Sequence, residues 1–204
     1  MNIDDEINLK VVLVGDSGIG KTCIIKRYVD KQYSEGYITN RSCTYHSKTI
    51  NYDNKIISLD IWDTAGQERY RAVVSKFFLN VAIGILVYDI TRRDSFESIK
   101  NYWYGELKEN EEKGLVIGVA ANKCDLSDVQ EVNEEEGRQF AESIDAIFRP
   151  TSAKENFGID ELFEECGKKY LNNIPNYKRR DTITIHSHKI NKTKNGKRKC
   201  CLTK

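Results

Sequence analysis

Residues 15–22 read G-D-S-G-I-G-K-T and satisfy the pattern G-x-x-x-x-G-K-[ST]. Each fixed position in that pattern answers a need of a bound polyphosphate. Phosphate oxygens require a ring of backbone N–H groups, and Gly18 and Gly20 permit the close turns that supply it. Asp16, Ser17, Ile19 and Cys23 complete the candidate cradle. A helix after Gly20 would point its positive end at the anion. Lys21 puts a point charge on the β- and γ-phosphates, and the Thr22 hydroxyl is offered to Mg²⁺. A metal-bound triphosphate needs a second acidic anchor. Asp63, at the end of an apolar run, is placed to hold the metal through water. Asp60 competes, but it lies in mid-run. Asp63 also stands three residues before Gly66, whose N–H is positioned for a γ-phosphate.

Asn122-Lys123-Cys124-Asp125 follows a second apolar run. A carboxylate at Asp125 accepts two hydrogen bonds from a base carrying N1–H and an exocyclic 2-amino group. Guanine has both and adenine has neither, so adenine would leave a buried charge unpaired. Asn122 reaches the N7/O6 side and ties loops together, while Lys123 lays its aliphatic stem over the base plane. Farther on, Thr151-Ser152-Ala153-Lys154 brings the Ala153 N–H within range of O6.

These groups act together only if a scaffold gathers them. Residues 9–14 form a short apolar run ending at a glycine, as a buried parallel strand does. Residues 45–51 and 55–62 are strand-like around a tight turn at Asp53-Asn54. Residues 82–88 (AIGILVY) and 115–121 (LVIGVAA) read as buried strands, and 146–148 as a last short one. Helical spacing marks the segment from Ile24 to Val29, residues 95–112 through Phe96, Ile99, Trp103 and Leu107, and residues 134–144 behind a candidate N-cap at Asn133. Residues 159–171 form the last helix, closed by Pro175. Such alternation predicts an α/β fold with an open, mostly parallel sheet.

Charge divides the chain of 204 residues in two. Of its 32 basic and 31 acidic residues, ten basic and one acidic residue (Asp181) lie in 176–204, so the tail carries +9 and residues 1–175 carry −8. A tail so polar cannot bury enough apolar surface to offset its ordering entropy, and disorder is expected there. The six cysteines show no zinc spacing and no disulfide framework, which suits a reducing compartment. Residues 1–6 are acidic and polar, unlike a secretory signal.

Taken together, the phosphate loop, D63-T-A-G-Q-E-R, N122-K-C-D and T151-S-A-K resemble the small GTPases of the Ras superfamily in order and spacing. I61-W-D-T-A-G-Q-E-R-Y, R71-A, K76-F-F and V87-Y-D-I-T narrow the resemblance to the Rab family, over about residues 8–174. It implies a P-loop NTPase small G domain over 1–175, with a six-stranded sheet flanked by five helices. It further implies binding of GTP and GDP with Mg²⁺, and slow GTP hydrolysis in which Gln67 positions the attacking water and Lys21 stabilises charge. Tyr33 matches an aromatic edge-on to the base, and Tyr45, Trp62 and Phe77 match an aromatic trio read by effectors. An aromatic on a strand is equally often simple core. The implied partners are effectors, an exchange factor, a GTPase-activating protein, and escort and dissociation-inhibitor proteins, with no nucleic acid and a monomeric chain.

The final K197-R-K-C-C-L-T-K resembles a double-cysteine prenylation signal. Lipids on Cys200 and Cys201 beside basic residues make a stable anchor where one lipid is marginal. This places the chain on the cytosolic face of an intracellular membrane, with a cytosolic pool. A role as a trafficking switch follows from the resemblance. One departure supports an alternative, a non-cycling guanine-nucleotide scaffold with weak turnover. Asn40 occupies the position, eighteen residues after Thr22, where the family has a threonine that binds Mg²⁺ and the γ-phosphate. An amide oxygen still coordinates Mg²⁺, but with different reach. A P-loop ATPase or small-molecule kinase is a third class, for which neither an adenine site nor a substrate lid is legible. Because of Asn40, GTP is expected to protect residues 36–44 from hydrogen exchange only weakly relative to GDP. Strong GTP-dependent protection of that segment would remove the idea.

Overall fold

Residues alternate or run continuously apolar according to how many faces of each strand are covered. The computed structural model describes residues 7–34, 44–52, 55–64, 78–110 and 114–173. Strand β1 (Ile7–Val14) alternates at first and is then buried on both sides, while β4 (Ile83–Asp89) and β5 (Val116–Asn122) are buried throughout. Such strands belong in the middle of a sheet with helices on both faces. Strand β2 (Thr44–Tyr52) instead alternates between half-buried and exposed residues, as an edge strand does. With β3 (Lys55–Asp63) and β6 (Ile147–Thr151) the sheet order is β2-β3-β1-β4-β5-β6. Only β2 runs antiparallel, pairing with β3 from Thr44–Asp63 to Tyr52–Lys55. The six-stranded, mostly parallel α/β architecture is therefore the one expected.

One face of the sheet carries α1 (Lys21–Asp30) and α4 (Ile159–Asn173). Ile24, Ile25 and Tyr28 of α1 pack with Leu162, Phe163 and Cys166 of α4 over Leu9, Val11 and Leu13. Burying each large side chain contributes about 1.5–3 kcal/mol, and Tyr28 stacks on Phe163 with centroids 4.0 Å apart and planes 6° from parallel. The opposite face carries α2 and α3 (Glu134–Ser143). Helix α2 runs through Arg93–Ser98, a π-helical turn Ile99–Trp103 and Tyr104–Glu109. Phe96, Ile99, Trp103 and Leu107, the residues that marked it by spacing, are all buried there. Asn133 does cap α3, in a capping box: its side chain accepts from the Glu136 N–H, and the Glu136 side chain accepts from the Asn133 N–H. A 3-10 helix (Cys124–Val129) is the fifth helical element among the described residues.

Several element boundaries differ from expectation, four of them for evident physical reasons. Strands β4 and β5 reach Asp89 and Asn122 because those two residues pair across the ladder. Strand β6 extends to Thr151, since Pro150 sits at a sheet edge where its missing N–H costs nothing. Helix α2 begins before Ser95, whose hydroxyl donates back to the Arg92 carbonyl at 2.7 Å. The expected turn at Asp53-Asn54, the segment with Asn40, the segment with Gly66, Gln67 and Phe77, and the tail with Cys200 and Cys201 all lie outside the described residues. No helix among the described residues is long and apolar enough to cross a membrane.

The topology fixes where a ligand must go. The chain leaves β1 toward β2 and β3 on one side, and leaves β4 toward β5 and β6 on the other. Helices α1 and α2 accordingly lie on opposite faces. The reversal falls at the carboxyl ends of β1 and β4, between the N-terminal loops of α1 and α2, and open α/β sheets take their ligands in the crevice at that point.

Candidate functional site

The phosphate loop turns at the end of β1 because two positions there admit no side chain. A Cβ on Gly15 (φ +139°) would stand 2.3 Å from the Val87 carbonyl oxygen, and one on Gly20 (φ +100°) would stand 2.4 Å from Asn122 Nδ2. The loop thereby lies directly over β4 and β5. Lys21, first in α1, is buried, and its Nζ donates to the Gly15 and Asp16 carbonyls at 2.8 and 2.6 Å. Desolvation lowers its pKa to about 8, opposed in part by the charges of Asp63 and Asp16. An ammonium so stripped of water has a strong need of anionic oxygens, and a polyphosphate supplies them.

Of the two candidate aspartates, Asp63 is the one that meets the loop. Thr22 Oγ1 donates to Asp63 Oδ2 at 2.6 Å, and Asp63 is buried. Asp60 faces elsewhere and accepts from the Tyr45 hydroxyl at 2.6 Å. A hydroxyl and a carboxylate, both hard oxygen donors, thus converge at the first turn of α1. This donor set fits Mg²⁺, which takes oxygen ligands and is commonly held by one or two carboxylates together with substrate phosphates.

The base-side residues converge on the same loop. Asn122 Nδ2 donates to the Ile19 carbonyl at 2.7 Å, and Asn122 Oδ1 accepts from Thr151 Oγ1 at 3.3 Å. One amide therefore ties the phosphate loop to both later motifs. Lys123 extends along this seam, its Nζ 3.3 Å from the Gly18 carbonyl oxygen. Ser152 does not point its hydroxyl at open space. It donates to Asp125 Oδ1 at 2.5 Å and accepts from the Glu155 N–H at 3.0 Å, which orients the carboxylate. Ala153 is buried and Lys154 exposed. Cys23 and Cys124 are half-buried, and desolvation raises both thiol pKa values.

Several positioning groups carry no signal in the sequence. Arg27, in the second turn of α1, donates from Nε to the Ala153 carbonyl at 2.7 Å and from Nη2 to the Lys154 carbonyl at 3.2 Å. Its guanidinium also lies 5.6 Å from the ring centre of Tyr33, a cation–π distance. Tyr33 is on the surface beside these loops, where an aromatic reaching a base would stand. Asp16 Oδ1 accepts from Ser98 Oγ at 2.8 Å and from Trp103 Nε1 at 3.0 Å. Trp103 read as core in the sequence; its position on the π-helical turn brings the indole N–H to the loop as well. Away from the crevice, Tyr45 is exposed and meets Trp62 edge-on at 5.4 Å.

Comparison with known proteins identifies the family of the chain. The model of the Ras family matches residues 10–172. The chain is 42% identical to the Ras-related protein Rab-22A of Mus musculus over 161 residues, 79% of this chain and 82% of the relative. It is 37% identical to Rab-31 of Homo sapiens over 194 residues, 95% and 97% of the two chains. It is 38% identical to Rab-1D of Dictyostelium discoideum over 197 residues, 93% of each.

Asn122 makes the most consequential of these loop contacts. Asn122→Asp would set a carboxylate oxygen against the Ile19 carbonyl and remove the donor. The expected loss is about 1–3 kcal/mol, the cost of unmaking a buried hydrogen bond, seen as weaker guanine-nucleotide binding in calorimetry. Affinity unchanged within error would show that the Asn122 bridge does not shape the site.

Proposed function

The chain belongs to the Ras family and, within it, to the Rab small GTPases; on that premise we propose that it is a membrane-anchored switch. It binds GTP and GDP, hydrolyses GTP slowly and recruits effectors in vesicle trafficking. The observation that carries this reading is the meeting of three separate motifs around one crevice. Asn122 bonds both the phosphate loop and Thr151, while Asp63 reaches Thr22.

The roles follow from placement. Backbone N–H groups of residues 16–23 and the Lys21 ammonium hold the β- and γ-phosphates. Thr22 and Asp63 are the residues to hold Mg²⁺, with Asn40 as the candidate third. Mg²⁺ held by these residues would supply positive charge beside the phosphates. Asp125, oriented by Ser152, accepts from guanine N1–H and the 2-amino group, and Ala153, held from behind by Arg27, offers its N–H to O6. Gln67 orients a water for in-line attack on the γ-phosphorus. The bond to the β–γ bridging oxygen breaks, phosphate departs and GDP stays bound. The backbone N–H groups and Lys21 stabilise the charge that spreads in the transition state. Without a partner's arginine the rate is on the order of 10⁻⁴ to 10⁻³ s⁻¹, as in related GTPases.

The γ-phosphate is the difference between the two states, so residues touching it carry the switch. Tyr45 and Trp62, with Phe77, form the aromatic surface on which effectors dock. Residues 1–175 make up the GTPase domain, a monomer that meets its exchange factor, activating protein, escort and dissociation inhibitor in turn. Residues 176–204 carry the anchor at Cys200 and Cys201, which holds the chain on the cytosolic face of an intracellular membrane. Asn40 favours a second reading, a guanine-nucleotide scaffold that does not cycle.

In a single-turnover assay at millimolar Mg²⁺, the purified chain should convert bound GTP, and not ATP, to GDP and phosphate, and Gln67→Leu should stop it. Tight GTP binding with no turnover would favour the scaffold, and equal use of ATP would defeat both readings. Intact-mass analysis of the protein from its native source should find both cysteines lipidated. Two free thiols would remove the anchor.

A further inference from the structure

Within the guanine-nucleotide site proposed above, one buried charge has no part in the mechanism so far. Asp89 ends β4 and is 1% exposed. A carboxylate with so little water must be compensated. Its Oδ1 accepts from the Thr91 N–H at 2.9 Å and from Thr91 Oγ1 at 2.8 Å. Its Oδ2 lies 2.6 Å from Lys123 Nζ, as a close charge contact off the line of a hydrogen bond.

Sheet register explains the meeting. Asp89 pairs with Asn122 across the β4–β5 ladder, and the Ile90 N–H donates to the Asn122 carbonyl at 3.1 Å. Lys123 is the next residue, and its backbone is left-handed, with φ +63°. A non-glycine residue holds that conformation only where its surroundings impose it. The Lys123 ammonium thus contacts both the Asp89 carboxylate and the Gly18 carbonyl.

The rest of the β4–α2 segment touches neighbouring loop residues. Arg92 Nη1 donates to the Ser17 carbonyl at 3.1 Å, and Ser98 and Trp103 donate to the Asp16 carboxylate. Asp16 and Ser17 of the phosphate loop are therefore held directly by this segment, and Asp89 reaches the next residue, Gly18, through Lys123.

We propose that Asp89 is a positioning residue for nucleotide retention: by fixing the Lys123 ammonium against Gly18, it keeps the lysine stem over the base and the phosphate loop closed beneath it. Asp89 itself touches no ligand and acts through Lys123. The inference rests on the proposed guanine-nucleotide site.

The test is release of a fluorescent GDP analogue, chased with excess GDP, from the full chain. Asp89→Asn is the informative variant, because asparagine matches aspartate in size and keeps the acceptor for Thr91. It should release GDP about tenfold faster, the effect of losing an interaction worth a charged hydrogen bond. Lys123→Gln should also release faster. Adding Asp89→Asn to Lys123→Gln should accelerate release no further, and should raise the thermal midpoint, because the carboxylate orphaned by the first change is neutralised. Thr91→Val loosens the Asp89 turn without touching Lys123, and should leave release within about twofold of the parent.

The proposal is overturned if Asp89→Asn releases GDP at the parental rate. It is equally overturned if that change accelerates release by the same factor whether or not Lys123 is present, or if Thr91→Val matches Asp89→Asn. A parental chain that retains no GDP at all would instead defeat the guanine-nucleotide reading and take this inference with it.

Discussion

The crevice depends on a steric constraint at two glycines. The chain must leave a fully buried strand, turn at once into a helix, and keep the intervening N–H groups aimed inward. At Gly15 and Gly20 the turn brings backbone against the Val87 carbonyl and the Asn122 amide at distances where no Cβ fits. That closeness lets Asn122 reach Ile19, sets Lys21 beneath the loop and brings Thr22 to Asp63. A loop standing one side chain farther from β4 and β5 would lose these contacts together. The apolar helices on both faces matter to function mainly because they hold the three central strands close enough for it.

Polar staples do the remaining alignment, and they share a form. A side chain from one element binds main-chain carbonyls of another: Asn122 on Ile19, Arg27 on Ala153 and Lys154, Arg92 on Ser17, Thr64 on Leu13. Bonds of this kind use the carbonyls of the loops and consume none of their N–H groups, which suits an anionic ligand. The arrangement also couples the two halves of the site. The phosphate loop and the base loops are not separate pockets, because Asn122 and Lys123 belong to one and bond to the other.

What the sequence revealed follows from what it had to conserve in local form. The phosphate loop and the Asn122–Asp125 run are legible because each is a contiguous run whose spacing by itself suggests a chemistry, and Asp63 because it closes an apolar run. Strands β1, β4 and β5 are legible because burial on both faces demands unbroken apolar runs. Arg27, Asp89, Arg92 and Trp103 were not, because each acts across the fold. Arg27 lies 126 residues from Ala153, and Trp103 lies 87 from Asp16. Nothing near Arg27 separates it from a surface cation, and Trp103 satisfies the helical core pattern whether or not its indole N–H is used. Asp89 and Lys123 meet through strand register, which fixes the pair only once β4 is known to lie beside β5.

The same geometry links ligand to stability. Lys21 is held among carbonyls with little water, its pKa lowered to about 8 chiefly by desolvation. The nearby charges of Asp63 and Asp16 offset part of that desolvation, and an anionic oxygen in direct contact with the ammonium would offset more. The free fold therefore carries a cost at Lys21 that an anion relieves. A ligand that binds only the native state stabilises it in proportion to its affinity and concentration. An anion bound at Lys21 and a more stable native state would thus be two views of one buried charge. The loop above Lys21 is braced by β4, β5 and α2, so its shape depends on elements that lie away from Lys21. Lys21 is consequently the point where the carbonyls of Gly15 and Asp16 and the charges of Asp16 and Asp63 meet, and a charge brought there acts on all of them together.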